Sequence, residues 1–268
     1  MDHRLWTTDH QTMKYKLSAV NYLNSKPFIF GLQHSDIIHE IELQLDIPSV
    51  CAEKLSQGTV DIGLVPVAVL PELEEYHIIS DYCIGADGEV GSVLLLSDVP
   101  LNEIKTILLD YQSKTSVTLV QVLAEKFWNI KPHWNDAEEN YESQITGTSA
   151  GVVIGDRTFA LKDKFKYSFD LSSEWKKFTQ LPFVFACWVA NKNLPQDFIQ
   201  RLNSALSLGL HNKEEVIRQC KNQYPSVDIE DYFENKISFA FDAQKKKSLE
   251  LFIGYLTELM ESDLLKIV

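Results

Sequence analysis

Motifs that identify a reaction on their own are missing from this sequence. It has no GxGxxG, no Walker-type phosphate loop and no HExxH, so nucleotide cofactors and zinc-peptidase chemistry are not expected. Its four cysteines are far apart and form no CxxC, which fits neither a zinc site nor a disulfide framework. Buried free thiols are the expectation for them. Since none of the seven histidines pairs at metal-ligand spacing, the sequence predicts no metal or other cofactor.

Positive charge is also scarce. Lys and Arg number 25 against 38 Asp and Glu, a formal net charge of −13, so nucleic-acid or anionic-membrane binding is not expected. An anion would have to be bound locally, by backbone amides and a few side chains. Residues 1–13 are polar, lack the apolar core of a signal peptide and are interpreted as a loose tail. With no apolar run long enough to span a membrane, we expect a cytoplasmic location.

Apolar runs alternate with helical patterns along the chain, which indicates an α/β fold with parallel sheets. Strands are predicted at residues 17–20, 41–45, 61–66, 92–97, 106–109, 150–156 and 181–190. We interpret the order as two lobes with a ligand cleft between them. The first lobe comprises residues 1–97 and 184–268, and residues 98–183 form an inserted second lobe. The alternative is a single doubly wound sheet.

The stretch of residues 20–27 (VNYLNSKP) is the most informative part of the chain. It reads as the end of a strand, a polar loop, and a helix with Pro27 in its first turn. Ligands bind at the carboxyl ends of strands in open α/β sheets, and helix N-termini favour anions. The loop is therefore a predicted ligand site.

Three further loops would face the same cleft: residues 88–92, 113–116 and 155–156. Residues 113–116 (SKTS) precede a helix, so they either bind a carboxylate or serve as an ordinary N-cap. Asp156 is placed to begin a short helix. No GxSxG surrounds Ser92, which argues against hydrolase chemistry there. Residues 245–247 (KKK) are interpreted as a solvated face, and aromatic residues such as Phe183 as core or as a cover for a flat ligand.

Five motifs in one order resemble a known family, the chorismate dehydratases of the futalosine route to menaquinone. They are residues 21–27 (NYLNSKP), 61–66 (DIGLVP), 92–97 (SVLLLS), 155–156 (GD) and 174–186 (EWKKFTQLPFVFA). The resemblance extends from about residue 16 to the C-terminal helix. It implies the type II periplasmic-binding-protein fold, in agreement with the two-lobe interpretation.

The resemblance further implies a lyase that dehydrates chorismate to 3-[(1-carboxyvinyl)oxy]benzoate, with no nucleic-acid or membrane partner. Asn24 and Ser92 match the family's catalytic asparagine and serine. Neither is a good base at neutral pH, so the substrate's own carboxylate is the hypothesised proton acceptor. The expected substrate-binding residues are Ser25, Lys26, Gly91, Ser113, Lys114, Thr115, Ser116, Gly155, Asp156 and Phe183. Lys26 and Lys114 are the candidates to pair with substrate carboxylates.

Two alternatives remain. The first is 1,4-dihydroxy-6-naphthoate synthase of the same pathway, which shares the fold and uses a histidine of its second lobe. Here His133 would have to serve. The second is a non-catalytic cytoplasmic protein that binds an aromatic carboxylic acid. The sequence does not predict the oligomeric state.

Overall fold

Two mixed β-sheets organise the chain, and each forms the centre of one lobe. The computed structural model describes residues 14–265, so the predicted loose tail of residues 1–13 lies outside the described residues. The strands are β1 (Tyr15–Val20), β2 (Ile41–Asp46), β3 (Ile62–Pro66), β4 (His77–Ala86), β5 (Val93–Ser97), β6 (Thr106–Leu109), β7 (His133–Asp136), β8 (Ser149–Ile154), β9 (Tyr167–Asp170), β10 (Phe183–Ala190) and β11 (Ser238–Ala240).

Helices cover both sheets. They are α1 (Lys26–Gln33), α2 (Pro48–Ser56), α3 (Lys114–Leu123), α4 (Arg157–Leu161), α5 (Leu171–Thr179), α6 (Gln196–His211), α7 (Lys213–Cys220), α8 (Ile229–Asp231) and α9 (Ala243–Leu265). Short 3₁₀ turns follow β1 (Leu23–Ser25) and β3 (Val67–Glu72), and α8 continues into one π-helical turn (Tyr232–Lys236). Within the described residues, no helix is long and apolar enough to cross a bilayer.

Lobe A is built on the sheet with strand order β11-β4-β10-β3-β1-β2, and lobe B on the sheet with order β7-β6-β8-β5-β9. In lobe A, β1 runs parallel to β2 and β3, while β10 is antiparallel to both β3 and β4. In lobe B, β6 is parallel to β7 and β8, and β5 is antiparallel to β8 and β9. The predicted parallel pairing is confirmed around β1 and β6, while the antiparallel pairs of β10 and β5 make both sheets mixed.

The strands predicted from apolar runs are found as β1, β2, β3, β5, β6, β8 and β10. Every residue of β10 is buried, as its continuous apolar sequence predicts for a strand covered on both faces. The missed strands carry a weaker pattern: all of β7 is exposed, and Ser80 and Asp81 interrupt β4. All four cysteines are buried free thiols, as expected.

Two predicted lobe assignments need correction. Strand β5 was expected in the first lobe but pairs with β8 and β9 in lobe B. Phe183 was expected to end the inserted lobe, but it begins β10 in lobe A. An apolar strand has the same sequence pattern in either sheet, so the sequence alone places such boundaries poorly. The chain therefore crosses between lobes at residues 87–92 and again at residues 180–182.

The carboxylate of Asp170 holds the first crossing in place. It accepts hydrogen bonds from the backbone N–H groups of Val90 (3.0 Å), Gly91 (2.7 Å) and Ser173 (2.9 Å). Burial raises the pKa of Asp170 to about 6, although these three donors oppose the shift. One side chain thus fixes both the crossing loop and the first turn of α5.

The raised pKa of Asp170 predicts a pH-dependent stability. Between about pH 4 and 6 the folded protein binds a proton that the unfolded chain has released, so stability falls as pH rises through this range. The slope should be about 1.4 kcal/mol per pH unit and should vanish above the folded pKa. Urea denaturation of the wild type and of Asp170→Asn at several pH values measures the difference. Asp163→Asn, at an exposed position, is the control, and a pH-independent difference for Asp170→Asn would contradict the assignment.

Helices α1 and α6 pack with their backbones in direct contact. A Cβ atom on Gly209 would lie 1.7 Å from the carbonyl oxygen of Pro27, and one on Gly31 would lie 2.0 Å from that of Ala205. Only glycine permits this approach, and it brings α1 close behind the loop of residues 21–25.

Gly209→Ala should therefore lower the free energy of unfolding by about 3 kcal/mol, because the two helices must separate to admit the methyl group. Urea denaturation measures the loss. Gly254→Ala in α9 is the matched control, since no atom lies within 4 Å of its added Cβ, and helix propensity should raise its stability by about 1 kcal/mol. Equal denaturation midpoints for the two variants would contradict the close contact.

Candidate functional site in the cleft between the lobes

A cavity lies between the lobes, at the carboxyl ends of the parallel strands of both sheets. The gaps between its lining atoms, together with adjoining space open to solvent, amount to about 470 Å³. Parallel strands point their carboxyl ends at one edge, and ligands of open α/β sheets bind there. The lining residues are Val20, Tyr22, Asn24, Pro48, Pro66, Ile84, Val90, Ser92, Val93, Ser113, Ser116, Ile154, Gly155, Phe185, Ala186 and Ile237.

No charged side chain lines this cavity in the part of the chain that the structure describes. Positive potential comes instead from helix N-termini. Pro48 is the first residue of α2, and Ser113 is the N-cap of α3, where its hydroxyl accepts a weak bond from the Ser116 N–H at 3.4 Å. The N-terminal ends of helices attract anions through the helix dipole, which is the effect available here because Pro48 has no N–H and the Ser49 and Ser116 N–H groups are already paired. The cavity therefore suits an anionic ligand with an apolar body.

The amide of Asn24 has a defined orientation. The hydroxyl of Ser25 donates to Asn24 Oδ1 at 2.8 Å, which leaves the Asn24 NH₂ group as the available donor. Ser25 itself is fully buried and does not line the cavity. Ser25 therefore orients the Asn24 amide. It does not reach the cavity, where the predicted contact with a ligand would be made.

Ser92 lies on the other side of the same cavity, at the end of the first crossing. Its side chain is buried, and its hydroxyl oxygen lies 2.9 Å from that of Tyr232. Tyr232 follows Ser92 by 140 residues and was not among the predicted site residues. No local sequence signal identifies it, because the contact depends entirely on how the C-terminal segment folds back.

Asp156 joins the two lobes and does not cap its own helix. Its Oδ1 accepts from the Leu23 N–H at 2.9 Å, and its Oδ2 accepts from the Tyr224 hydroxyl at 2.7 Å. The short helix α4 does begin directly after Asp156, as predicted, but the Asp156 side chain makes no cap bond to it. Burial raises the pKa of Asp156, while these two donors and the charge of Lys26 lower it. Asp156, a residue of lobe B, thus binds the 3₁₀ turn Leu23–Ser25 that carries Asn24.

Other contacts close the cleft on the side of α3. The Ala68 N–H donates to Thr115 Oγ1 at 3.1 Å, the Ser49 N–H donates to the Gln112 carbonyl at 3.0 Å, and Lys114 pairs with Glu72. Thr115 and Lys114 were expected to bind ligand. Both instead bind residues of lobe A, because the N-terminal turn of α3 packs against the 3₁₀ turn Val67–Glu72.

The remaining predicted residues lie beside the cavity. Lys26 donates to Asn21 Oδ1 at 2.9 Å, Gly91 donates to Asp170, and neither lines the cavity. Phe183 packs in an aromatic cluster with Trp175 and Phe252. The pairing of β10 with β4 is irregular between Val184 and Ala186, and it is Phe185 that reaches the cavity. Of these two phenylalanines, Phe185 and not Phe183 therefore lines the cavity.

An ion cluster lies behind Tyr22. Arg157 pairs with the fully buried carboxylate of Asp110 and, at 2.7 Å, with Glu142. Burial raises the pKa of Asp110, opposed by the Arg157 charge. Burial also raises the pKa of Tyr22, and Asp110 adds to the shift. Since two carboxylates surround Arg157, this arginine adds no net positive charge to the cavity.

Most groups that commonly exchange protons lie away from the cavity, and the exception, Tyr22, has its pKa raised by burial. Among the described residues, no His, Asp, Glu, Lys or Cys side chain lines it. Glu89 pairs with Lys236 at 2.9 Å, and His133 begins the exposed edge strand β7. Residues 147–151 (GTSAG) match the GxSxG pattern of hydrolase nucleophiles. They lie where β8 begins and not at a strand-to-helix turn, so the match does not indicate a nucleophile. The described lining therefore offers no strong base at neutral pH.

Known sequences resemble this chain over most of its length. A family model described as "Menaquinone biosynthesis" matches residues 15–258. The chorismate dehydratase of Thermus thermophilus is 26% identical over 224 residues, which is 75% of this chain and 80% of that protein.

Solved structures with a similar fold share little sequence. A protein of Archaeoglobus fulgidus has a TM-score of 0.71 at 14% identity, covering 96% of this chain and 100% of that one. The alkanesulfonate-binding protein of Xanthomonas axonopodis pv. citri, bound to MOPS, has a TM-score of 0.61 at 14% identity, with coverage of 90% and 93%. A Candida albicans protein described as having the generic periplasmic binding protein fold has a TM-score of 0.59 at 13% identity, with coverage of 93% and 95%. The two-lobed periplasmic-binding-protein fold predicted from the sequence is confirmed.

The contact between Asp156 and Leu23 makes a direct prediction. Asp156→Ala should speed hydrogen exchange at the Leu23 amide by about tenfold or more, because that N–H loses its charged acceptor. Exchange mass spectrometry of a peptide covering residues 20–26 measures it without any ligand. Asp163→Ala, also in lobe B but exposed, is the control. Unchanged exchange in Asp156→Ala would show that the lobes do not close in this way.

Proposed function

The chain belongs to the menaquinone biosynthesis family, and we propose that it is a carbon–oxygen lyase that dehydrates chorismate to 3-[(1-carboxyvinyl)oxy]benzoate. The similarity to a chorismate dehydratase over most of the chain supports this reaction. The observation that carries the proposal is the joint presence of Asn24 and Ser92 in one cavity without charged side chains. Both were assigned from the sequence to the catalytic positions of the family.

Chorismate loses two groups in this reaction. The proton leaves the ring carbon that bears the enolpyruvyl ether, and hydroxide leaves the neighbouring carbon, so that one water is released. The ring becomes aromatic, and this supplies the driving force. The protein needs only to orient the substrate and stabilise its developing charge, which fits a site that contains hydrogen-bond donors and no strong base.

We assign the roles accordingly. The substrate's own carboxylate removes the ring proton, since the described lining provides no basic side chain. The Asn24 NH₂ group and the Ser92 hydroxyl hold the substrate oxygens, and the N-termini of α2 and α3 face its carboxylates. Phe185 and the apolar lining pack against the ring. Lys26 and Lys114 were expected to pair with the substrate carboxylates. Both bind other residues, so this role is assigned to the helix N-termini.

Incubation of the purified chain with chorismate tests the reaction. We expect loss of chorismate and appearance of an aromatic product lighter by one water, followed by ultraviolet absorbance and mass spectrometry. Asn24→Ala and Ser92→Ala should each lower kcat by about a hundredfold or more, because each removes a donor that acts on the transition state.

Controls separate catalysis from folding. Asn193→Ala and Ser204→Ala remove the same side-chain types from exposed positions and should leave kcat unchanged. Urea denaturation should show that the Asn24 and Ser92 variants remain folded. Full activity in both site variants would overturn the assignment. Binding of chorismate without turnover by the wild type would favour a binding protein, and no binding at all would favour another substrate.

A further inference from the structure

Tyr232 lies directly behind Ser92. It begins the π-helical turn Tyr232–Lys236, a type of distortion that is frequent at functional sites. Its side chain is 3% exposed, and its hydroxyl oxygen is 2.9 Å from Ser92 Oγ. The contact joins the C-terminal segment of lobe A to the crossing that leads into lobe B.

The direction of this hydrogen bond follows from what each hydroxyl can reach. Burial raises the pKa of Tyr232, so the group remains a neutral phenol with one proton. Among the described residues its oxygen has no hydrogen-bond partner other than Ser92. If Ser92 donated to Tyr232, the phenol proton would be buried without an acceptor, which is costly. Ser92 faces the cavity and can use its own proton there, so Tyr232 is the donor.

We propose that Tyr232 is a positioning residue that fixes Ser92 as a hydrogen-bond donor toward the ligand. The proposal rests on the chorismate dehydratase function above and deepens it. With Tyr232 donating to Ser92 Oγ, the Ser92 proton points into the cavity, where it can bind an anionic or departing oxygen. Two hydroxyls in sequence also polarise one another, which strengthens the second bond. Without Tyr232, Ser92 is free to turn a lone pair toward the substrate.

Lobe closure helps to hold this arrangement. The ring of Phe159, from α4 of lobe B, packs edge-to-face on Tyr232 with the ring centroids 5.4 Å apart. The hydroxyl of Thr158, the preceding residue, lies 2.8 Å from the Gly155 carbonyl and 3.1 Å from the Gly91 carbonyl next to Ser92, and shares its proton between them. Lobe B therefore fixes both partners of the Tyr232–Ser92 bond when the cleft is shut.

The test is Tyr232→Phe, which removes one oxygen atom and keeps the ring. We expect kcat for chorismate to fall by about tenfold, less than for loss of Ser92 itself, with KM within about threefold of the wild type. Tyr82→Phe, at a half-buried tyrosine of β4 packed on Phe28, is the matched control and should keep the wild-type kcat. Wild-type kcat in Tyr232→Phe would overturn the proposal.

A double-mutant cycle with Ser92→Ala separates positioning from a general structural role. Because Tyr232 acts through Ser92, Tyr232→Phe should cause no further loss of kcat in the Ser92→Ala protein. An independent tenfold loss in that background would overturn the proposal.

The same double-mutant cycle can be measured on stability, without substrate. A failure of the proposed reaction is then distinguished from a failure of the proposed hydrogen bond. Tyr232→Phe should lower the urea midpoint of the wild type but not that of Ser92→Ala, where the phenol has already lost its acceptor. If wild-type protein fails to consume chorismate, the proposed function fails, while this non-additivity still supports the hydrogen bond. Additive shifts in midpoint would overturn it.

Discussion

One carboxylate both helps to close the cleft and positions a candidate catalytic residue. Asp156 stands at the start of α4, where a side-chain cap would be ordinary, yet both oxygens bind groups of lobe A. The Leu23 N–H belongs to the turn that carries Asn24, so the same contact that joins the lobes also places the Asn24 amide. The closure of the cavity and the position of one candidate catalytic residue are therefore linked through this carboxylate.

The chain is acidic, yet the ligand proposed for its cavity is an anion. A chain with a net charge of −13 repels anions at long range, and lining the cavity with lysines would be the simple remedy. Lys114 and Arg157 are close, but Glu72, Asp110 and Glu142 already pair with them. Helix N-termini and neutral donors remain. Such groups can hold an anion but offer no base, which is consistent with the proposal that the substrate's own carboxylate removes the proton.

Sequence patterns predicted the parts of this fold that depend on local chemistry. Apolar runs located the central strands, and polar loops at their carboxyl ends located Asn24, Ser92, Ser113 and Gly155. Side chains whose roles depend on distant partners were not predictable. Lys114 looks like an anion ligand until Glu72 is seen beside it, and Tyr232 carries no signal at all. Lys245 was expected on a solvated face, yet it is 2% exposed, with its amine on Ser238 and the Ala240 carbonyl.

The grip of Asp170 has a mechanical consequence. It binds the first crossing at Val90 and Gly91, and it caps α5, the helix that leads into the second crossing. The first connection between the lobes is thereby fastened to the helix that leads into the second. A displacement of the chain at Val90 and Gly91 is in this way passed directly to α5.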